Sequence, residues 1–486
     1  MRYFRLGPEV IVKGGDVLKT GYRVLALLFS GVFILLACVT IPRSLSEKVM
    51  ALHGINGFNK AEVTMKRNNE PRSKSWLAPG DIRKLVDSLS ANEYSYIARP
   101  AASTAQVITE GKSGVVSKIA GTNFMLPMFL RMNLIYGSFF TETAEKEGAY
   151  VAVVDDRLTW NAFRTDNVVG KYLELFGRKF KIVGVVKRDA SILSILTDDG
   201  LPEVFIPGSI LFELNSTAEI TSFQVRTEDN STLDRNRFLI SEALQEAGKN
   251  PSDYDITDYN IARALLEQKT DIIVFLLGCV ILLILLIWLK DTVKETICIL
   301  RQDCRNDYLM NSIKKNAAMM GVSAVKTICS TSSMLIVGSV IRFDLFISPR
   351  YIPEELIDTS FYSELIKRNI RAGIESQGFI AETGRMLLNG TYMLTGWPLL
   401  IMTGAGLLLV YNGFVRLRLL DMEAHRLSLA CGLFMLFSLI VLALTERAAG
   451  LPIGLRNGNL LVVWAFIYIN ILYSHFMKKK GKNKNE

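Results

Sequence analysis

Histidine is scarce in this 486-residue chain, which holds only His53, His425 and His475. They fall on a linker, a loop and a terminal apolar segment, so the sequence supports neither a histidine metal site nor a catalytic triad. Of the six cysteines (Cys38, Cys279, Cys298, Cys304, Cys329 and Cys431), none lies within 42–266. That stretch must fold without a disulfide, and it is long enough to bury an adequate core unaided. Cys298 and Cys304 have no histidine nearby, which argues against zinc. Asp155-Asp156 and Asp198-Asp199 are sequence neighbours, which point apart on a strand or turn, so they suit solvated loops and not paired acid–base work. Gly111-Lys112-Ser113 has the end of a phosphate-binding loop, but Gln106 stands where its first glycine is required. No catalytic residue, metal or cofactor is therefore expected, and the chain reads as a non-enzyme.

Apolar residues, by contrast, are abundant. They make up 50% of the chain, and the mean hydropathy is +0.26. They gather in solid runs near the roughly 20 residues that cross a bilayer, which excludes a purely cytoplasmic protein and an alternating β-barrel. The expected architecture is an α-helical polytopic membrane protein of about six spans with a large mixed α/β extracytoplasmic domain. The spans are placed at 22–41, 267–289, 317–341, 393–414, 427–445 and 459–476. Between them lie the domain at 42–266, extracytoplasmic loops at 342–392 and 446–458, and cytoplasmic loops at 290–316 and 415–426. A cytoplasmic tail, 1–21, precedes the first span. Leu35-Leu36-Ala37-Cys38 resembles a bacterial lipobox, but the long tail before it argues against cleavage.

The net charge is +9, from 56 Lys and Arg against 47 Asp and Glu. Lys290, Lys294, Arg301, Arg305, Lys314 and Lys315 crowd 290–315, and Arg416, Arg418 and Arg426 follow in 415–426. The positive-inside rule then puts both termini in the cytoplasm. The basic tail at 477–486 anchors the last span and meets anionic membrane lipid. It has no interleaved aromatics, so nucleic acid is not an expected partner. Lys326 is the one ionisable residue well inside a proposed span; an intramembrane relay and simple snorkelling both remain open.

Within 42–266, Ile82, Leu85, Val86 and Leu89 share one helical face after Pro79-Gly80. A second amphipathic helix is expected over 231–247, with Leu233, Phe238, Leu239 and Leu244 apolar. Strand-like runs occur at 93–98, 150–154, 179–186, 204–206 and 219–226. Gly170 reads as a turn glycine, Gly184 as a strand glycine at a bulge or close approach, and Pro207 as the end of an edge strand. From Ile261 the chain reads as helix running unbroken into the second span. In 342–392, Phe361, Leu365, Ile366, Ile370 and Ile374 recur at helical spacing, which fits an interfacial helix or the core of a small subdomain.

An ordered series of motifs spans 119–207. It comprises Gly121-Thr122, Gly137-Ser138-Phe139-Phe140, Val151–Asp155, Ala162-Phe163, Val168–Lys171 with Tyr172–Leu175, Phe180–Val186, and Val204–Pro207. It resembles the extracytoplasmic domain of MacB-type permeases, of the superfamily that includes FtsX and the lipoprotein-releasing permeases. The resemblance implies a permease subunit of an ABC-type transporter or mechanotransmission complex, relaying the cycles of a separate ABC ATPase to an extracytoplasmic domain. It also implies a second permease copy or a related permease as partner. The family's ATPase-coupling helix is echoed by Lys294-Glu295 and Ile299-Leu300-Arg301, with one extra residue between them and both family glycines missing. Six spans instead of the four of MacB-type members is a further departure. These departures keep a second reading open, a non-transporting membrane sensor or assembly scaffold that retains the MacB-like domain.

Overall fold

The computed structural model describes residues 3–5, 11–66, 76–109, 114–228, 235–303, 317–347, 360–365, 367, 383–417, 424–455 and 457–485. The chain divides into a helical unit (Met1–Leu45, Leu266–Leu345 and Met393–Glu486) and an α/β unit (Ser46–Leu265 and Phe346–Tyr392). In chain order the elements begin with a hairpin, β1 (Tyr3–Arg5) and β2 (Ile11–Lys13), and a 39-residue helix α1 (Gly14–Leu52). Next come β3 (Lys60–Met65), α2 (Pro79–Ser88), β4 (Tyr94–Arg99), β5 (Thr104–Val107), β6 (Val115–Thr122), α3 (Leu126–Phe129), β7 (Asn133–Gly137) and α4 (Glu142–Lys146). They are followed by β8 (Val151–Asp155), α5 (Asp156–Phe163), β9 (Tyr172–Leu175), β10 (Arg178–Lys187), α6 (Ile192–Thr197), β11 (Glu203–Pro207), α7 (Gly208–Leu214), β12 (Glu219–Arg226), α8 (Arg235–Glu246) and β13 (Tyr254–Asp258). The rest is helical: α9 (Tyr259–Asp303), α10 (Ala317–Val340), α11 (Thr383–Leu394), α12 (Trp397–Leu417), α13 (Ala424–Ala448) and α14 (Asn457–Asn485).

Six helical stretches among the described residues are long and apolar enough to cross a membrane: Tyr22–Leu52, Tyr259–Cys298, Met320–Val340, Gly384–Leu417, His425–Ala448 and Gly458–His475. Leu28, Leu35, Leu36, Leu277, Ile281, Met435 and Val463 are buried together in the helical unit, whereas Leu283, Leu335, Leu408, Leu433 and Ile440 are exposed. Helices apolar on both faces are expected where lipid is the solvent. Small residues let two of them pack closely. A Cβ on Gly31 of α1 would lie 2.8 Å from the Val410 backbone nitrogen of α12, and one on Gly413 would meet Leu28 at 3.0 Å. The first helix starts before residue 22 and ends after residue 41, so residues 42–52 continue it.

The α/β unit is built on an eleven-stranded mixed sheet. Its main path runs β13-β3-β12-β4-β6-β11-β8-β10-β7, with β5 on β6 and β9 on β10. The β6–β11 and β8–β10 pairs are parallel, and the other pairs are antiparallel. Along β10 the buried Phe180 and Ile182 alternate with exposed Lys179 and Lys181, the period-two pattern of a strand with one wet face. That pattern breaks at Gly184, where the register with β8 shifts. A Cβ there would sit 2.4 Å from the Ser138 carbonyl oxygen, so close backbone approach demands glycine. Gly170 turns the chain at φ +88°. Helix α2 starts with proline in its first turn, its Asp81 carboxylate accepts from the Ala78 N–H at 2.9 Å, and it buries Ile82 and Leu85.

Three sequence expectations change. Pro207 does end a strand, but β11 is central, not an edge. Proline is tolerated there because the chain leaves the sheet at once for α7. Helix α8 buries Asn236, Ile240, Ala243 and Leu244, so of the apolar residues expected inward Leu244 is buried while Phe238, 69% exposed, and Leu239 face out; Leu233 lies outside the described residues. Asp155 is buried, not solvated: it caps α5 by accepting from Leu158 N at 2.8 Å. In the expected helix of 342–392, residues 360–365 and 367 are helical. Ile366, Ile370 and Ile374 lie outside the described residues, as does Gly111-Lys112-Ser113.

Candidate coupling site

Strand β3 reads Lys-Ala-Glu-Val-Thr-Met, the alternation of a strand with one face in water. Ala61 and Val63 do enter the sheet's apolar core. Yet Lys60, Glu62 and Thr64, on the opposite face, are also buried. What covers them are the ends of helices. Tyr259, the first residue of α9, is fully buried and donates its hydroxyl to Glu62 Oε2 at 2.6 Å. Glu62 Oε1 also accepts from Ser222 Oγ at 2.5 Å and Gln224 Nε2 at 3.2 Å. Lys60 Nζ donates to the Phe129 carbonyl and to Gln224 Oε1, at 3.3 Å for the latter. It also lies 5.0 Å from the Tyr259 ring centre, within cation–π range.

Two more helices reach this face. His53 immediately follows α1 and packs edge-on to Phe58 and Tyr259, with ring centres 4.9 and 4.7 Å apart. From α11, the Arg385 guanidinium holds Thr64 Oγ1 and the Asp255 carboxylate, joining β3 to β13. Its neighbour Gly384 lies so near His53 that a Cβ would meet the imidazole at 3.0 Å. Tyr392 of the same helix donates to the Ala262 carbonyl of α9 at 3.4 Å.

Burial dominates the electrostatics. It lowers the Lys60 pKa to about 7, with Glu62 pulling the other way. It holds His53 well below the ordinary imidazole value, and the Lys60 charge adds to that. Both ring nitrogens of His53 lack a hydrogen-bond partner among the described residues. Among the described residues the arrangement offers no nucleophile–base pair. Mechanically it is a clasp: one buried strand face is held by the ends of α1, α9 and α11.

A second charged cluster ties the far ends of β8, β10 and β11. Asp155 accepts from Arg188 Nε at 2.7 Å and from Glu203 N at 2.9 Å. Burial raises its pKa more than Arg188 lowers it. Arg157 and Arg188 both hold Asp198, and Lys118 holds Asp199 at 2.9 Å.

The residues singled out for ATPase coupling lie elsewhere. Lys294, Glu295 and Arg301 are exposed on α9, and Ile299 and Leu300 belong to the same helix, which continues unbroken to Asp303. Lys294 and Arg301, seven residues apart, come onto one face. Residues 304–316 lie outside the described residues. Lys326 is exposed on α10 and is not enclosed by the chain's own helices. Sequence reasoning missed Lys60, Glu62 and His53. Alternating charge on a strand reads as a wet face, and a lone histidine carries no signal.

Residues 25–243 match the family description MacB-like periplasmic core domain, a segment that takes in most of α1 and the α/β unit as far as α8. This stretch, somewhat under half of the chain, is similar to the periplasmic core of MacB-type permeases. Among its relatives, the pyoverdine export ATP-binding/permease protein PvdT of Pseudomonas entomophila is 23% identical over 275 residues, covering 52% of this chain and 41% of that protein. The macrolide export ATP-binding/permease protein MacB of Hyphomonas neptunium is 23% identical over 301 residues, covering 59% and 46%. This MacB-like chain thus spans half or less of the length of the curated relatives it matches. Among solved structures, the periplasmic region of MacB from Actinobacillus actinomycetemcomitans aligns at 19% identity and TM-score 0.37, covering 45% of this chain and 98% of that one. The extracellular domain of the ABC-type transporter YknZ aligns at 15% identity and TM-score 0.33, covering 41% and 100%.

Proposed function

We propose that this MacB-like permease relays the cycles of a separate ABC ATPase through its membrane helices to the α/β unit, as part of a transporter or a mechanotransmission complex. The carrying observation is the clasp on β3, in which Tyr259, His53 and Arg385 bring three helix ends to one buried strand face. Helices α1, α9 and α11 all continue into stretches long and apolar enough to span a membrane, so a shift of any one of them reaches the sheet directly. In this reading the α/β unit is extracytoplasmic and both termini are cytoplasmic. The ATPase docks on the stretch of α9 that carries Lys294, Glu295, Ile299, Leu300 and Arg301. A second permease copy or a related permease completes the complex, and the basic tail touches lipid.

The test is reconstitution with a Walker-containing ATPase from a neighbouring reading frame. Copurification is expected, together with stimulation of ATP hydrolysis that disappears when residues 295–301 are scrambled. If crosslinking recovers no ATPase, the missing glycines of this segment favour the alternative, a sensor or assembly scaffold without ATPase coupling. Protease added to spheroplasts should cleave the α/β unit; cleavage only in inside-out vesicles would reverse the orientation.

A further inference from the structure

A cavity of about 260 Å³ opens on the α/β unit beside α11 and α6. Its apolar lining includes Leu52, Leu130, Met132, Phe205, Met386 and Leu387. Five carboxylates also border it, and each is already held by a cation. Asp155 is paired with Arg188, Asp189 with Lys48, Asp198 with Arg157, Asp199 with Lys118 and Glu203 with Arg99. Two further lining cations, Arg131 and Lys187, are exposed and have no ion-pair partner among the described residues. The strand pairing brings them close, since Lys187 is in register with Asn133, two residues beyond Arg131. The pocket therefore combines an apolar floor with two rim cations that no carboxylate among the described residues holds, although its lining charges balance at five of each sign.

Its surroundings indicate which anion it takes. Ile195 borders the pocket and is 66% exposed, and Ile192 and Leu196 of the same short helix are exposed beside it. Helix α11, which supplies Met386 and Leu387, ends at Leu394, three residues before α12 starts at Trp397. Met386 and Leu387 lie within the stretch Gly384–Leu417, which is itself long and apolar enough to cross a membrane. A free inorganic anion has no use for such a floor or for a bare apolar rim. The geometry points to a binding pocket for a membrane lipid with an anionic headgroup: Arg131 and Lys187 hold the phosphate, and the upper acyl chain lies along Leu130, Met132 and Ile195. The outer leaflet as its source rests on the orientation proposed above; the recognition chemistry does not.

The test uses the full chain in nanodiscs that carry photoactivatable phosphatidylglycerol or phosphatidylcholine, with adducts mapped by peptide mass spectrometry. Phosphatidylglycerol adducts are expected on the peptides containing Leu130–Met132 and Met386–Leu387. They should fall about tenfold, the equivalent of about 1.4 kcal/mol, in R131Q/K187Q and persist in R131K/K187R. Equal labelling by the two lipids, or labelling unchanged in R131Q/K187Q, would overturn the proposal. So would loss of labelling on addition of inorganic phosphate, which would mark a free-anion site, or an Ile195–Ile195 crosslink between two copies that excludes lipid. Because the readout is lipid labelling and not ATP hydrolysis, failure of the permease reading leaves this result standing, and the reverse also holds.

Discussion

The helical unit and the α/β unit of this protein solve burial in opposite ways. In the helical unit apolar side chains face both inward and outward, so exposure carries no penalty where the neighbour is lipid. In the α/β unit a strand that alternates apolar and polar residues is buried on both faces, and its polar face is satisfied by hydrogen bonds from Tyr259, Ser222, Gln224 and Arg385. A buried polar residue on this sheet, such as Glu62, therefore marks a joint and not a wet surface.

The largest expected effect separates the two kinds of apolar residue. Phe223, fully buried in the sheet core, should cost about 3–5 kcal/mol on truncation to alanine, whereas L335A, on an exposed face of α10, should cost about 1 kcal/mol or less. Urea unfolding followed in detergent micelles measures both; equal losses would erase the contrast.

The next effect concerns the joint. Because the Lys60 pKa is lowered to about 7 in the folded protein, the unfolded chain binds more protons than the folded one between about 7 and the ordinary lysine value near 10.4. Stability should therefore rise with pH across that window, by a few kcal/mol at most. K60M should flatten the slope while Glu62 keeps its bonds to Ser222, Gln224 and Tyr259. A melting temperature measured from pH 7 to 10 that is as steep in K60M as in the parent would show that the slope has another source. The smallest effect is K326M. An exposed lysine that only snorkels should change stability by about 0.5 kcal/mol or less and leave ATPase stimulation intact; loss of stimulation would instead mark an intramembrane relay.

The spans were legible because a bilayer demands long uninterrupted apolar runs, and 219–226 and 179–186 were legible because Phe223–Arg226 and Lys179–Ile182 alternate apolar and polar residues. Strand β6 was not. Its Ser117 and Lys118 suggest a wet surface, yet Ser117 is buried and Lys118 is nearly so, held by Asp199. Strand β3 escaped for the same reason, since the helix ends that dry its polar face come from residues 53, 259 and 385, far apart in the chain. The segment 294–301, which the sequence offers as an echo of a coupling helix, is a continuous helical extension of α9.

That continuity has a mechanical corollary. Forty-five residues of unbroken helix make a lever about 67 Å long. A see-saw of only about 5° around its midpoint would swing the two tips roughly 3 Å in opposite directions. The Tyr259 hydroxyl, at one tip, has a hydrogen bond to Glu62 that cannot stretch by that much. A small rocking imposed near Arg301 therefore has only two outcomes at the other end: the strand follows, or the grip releases.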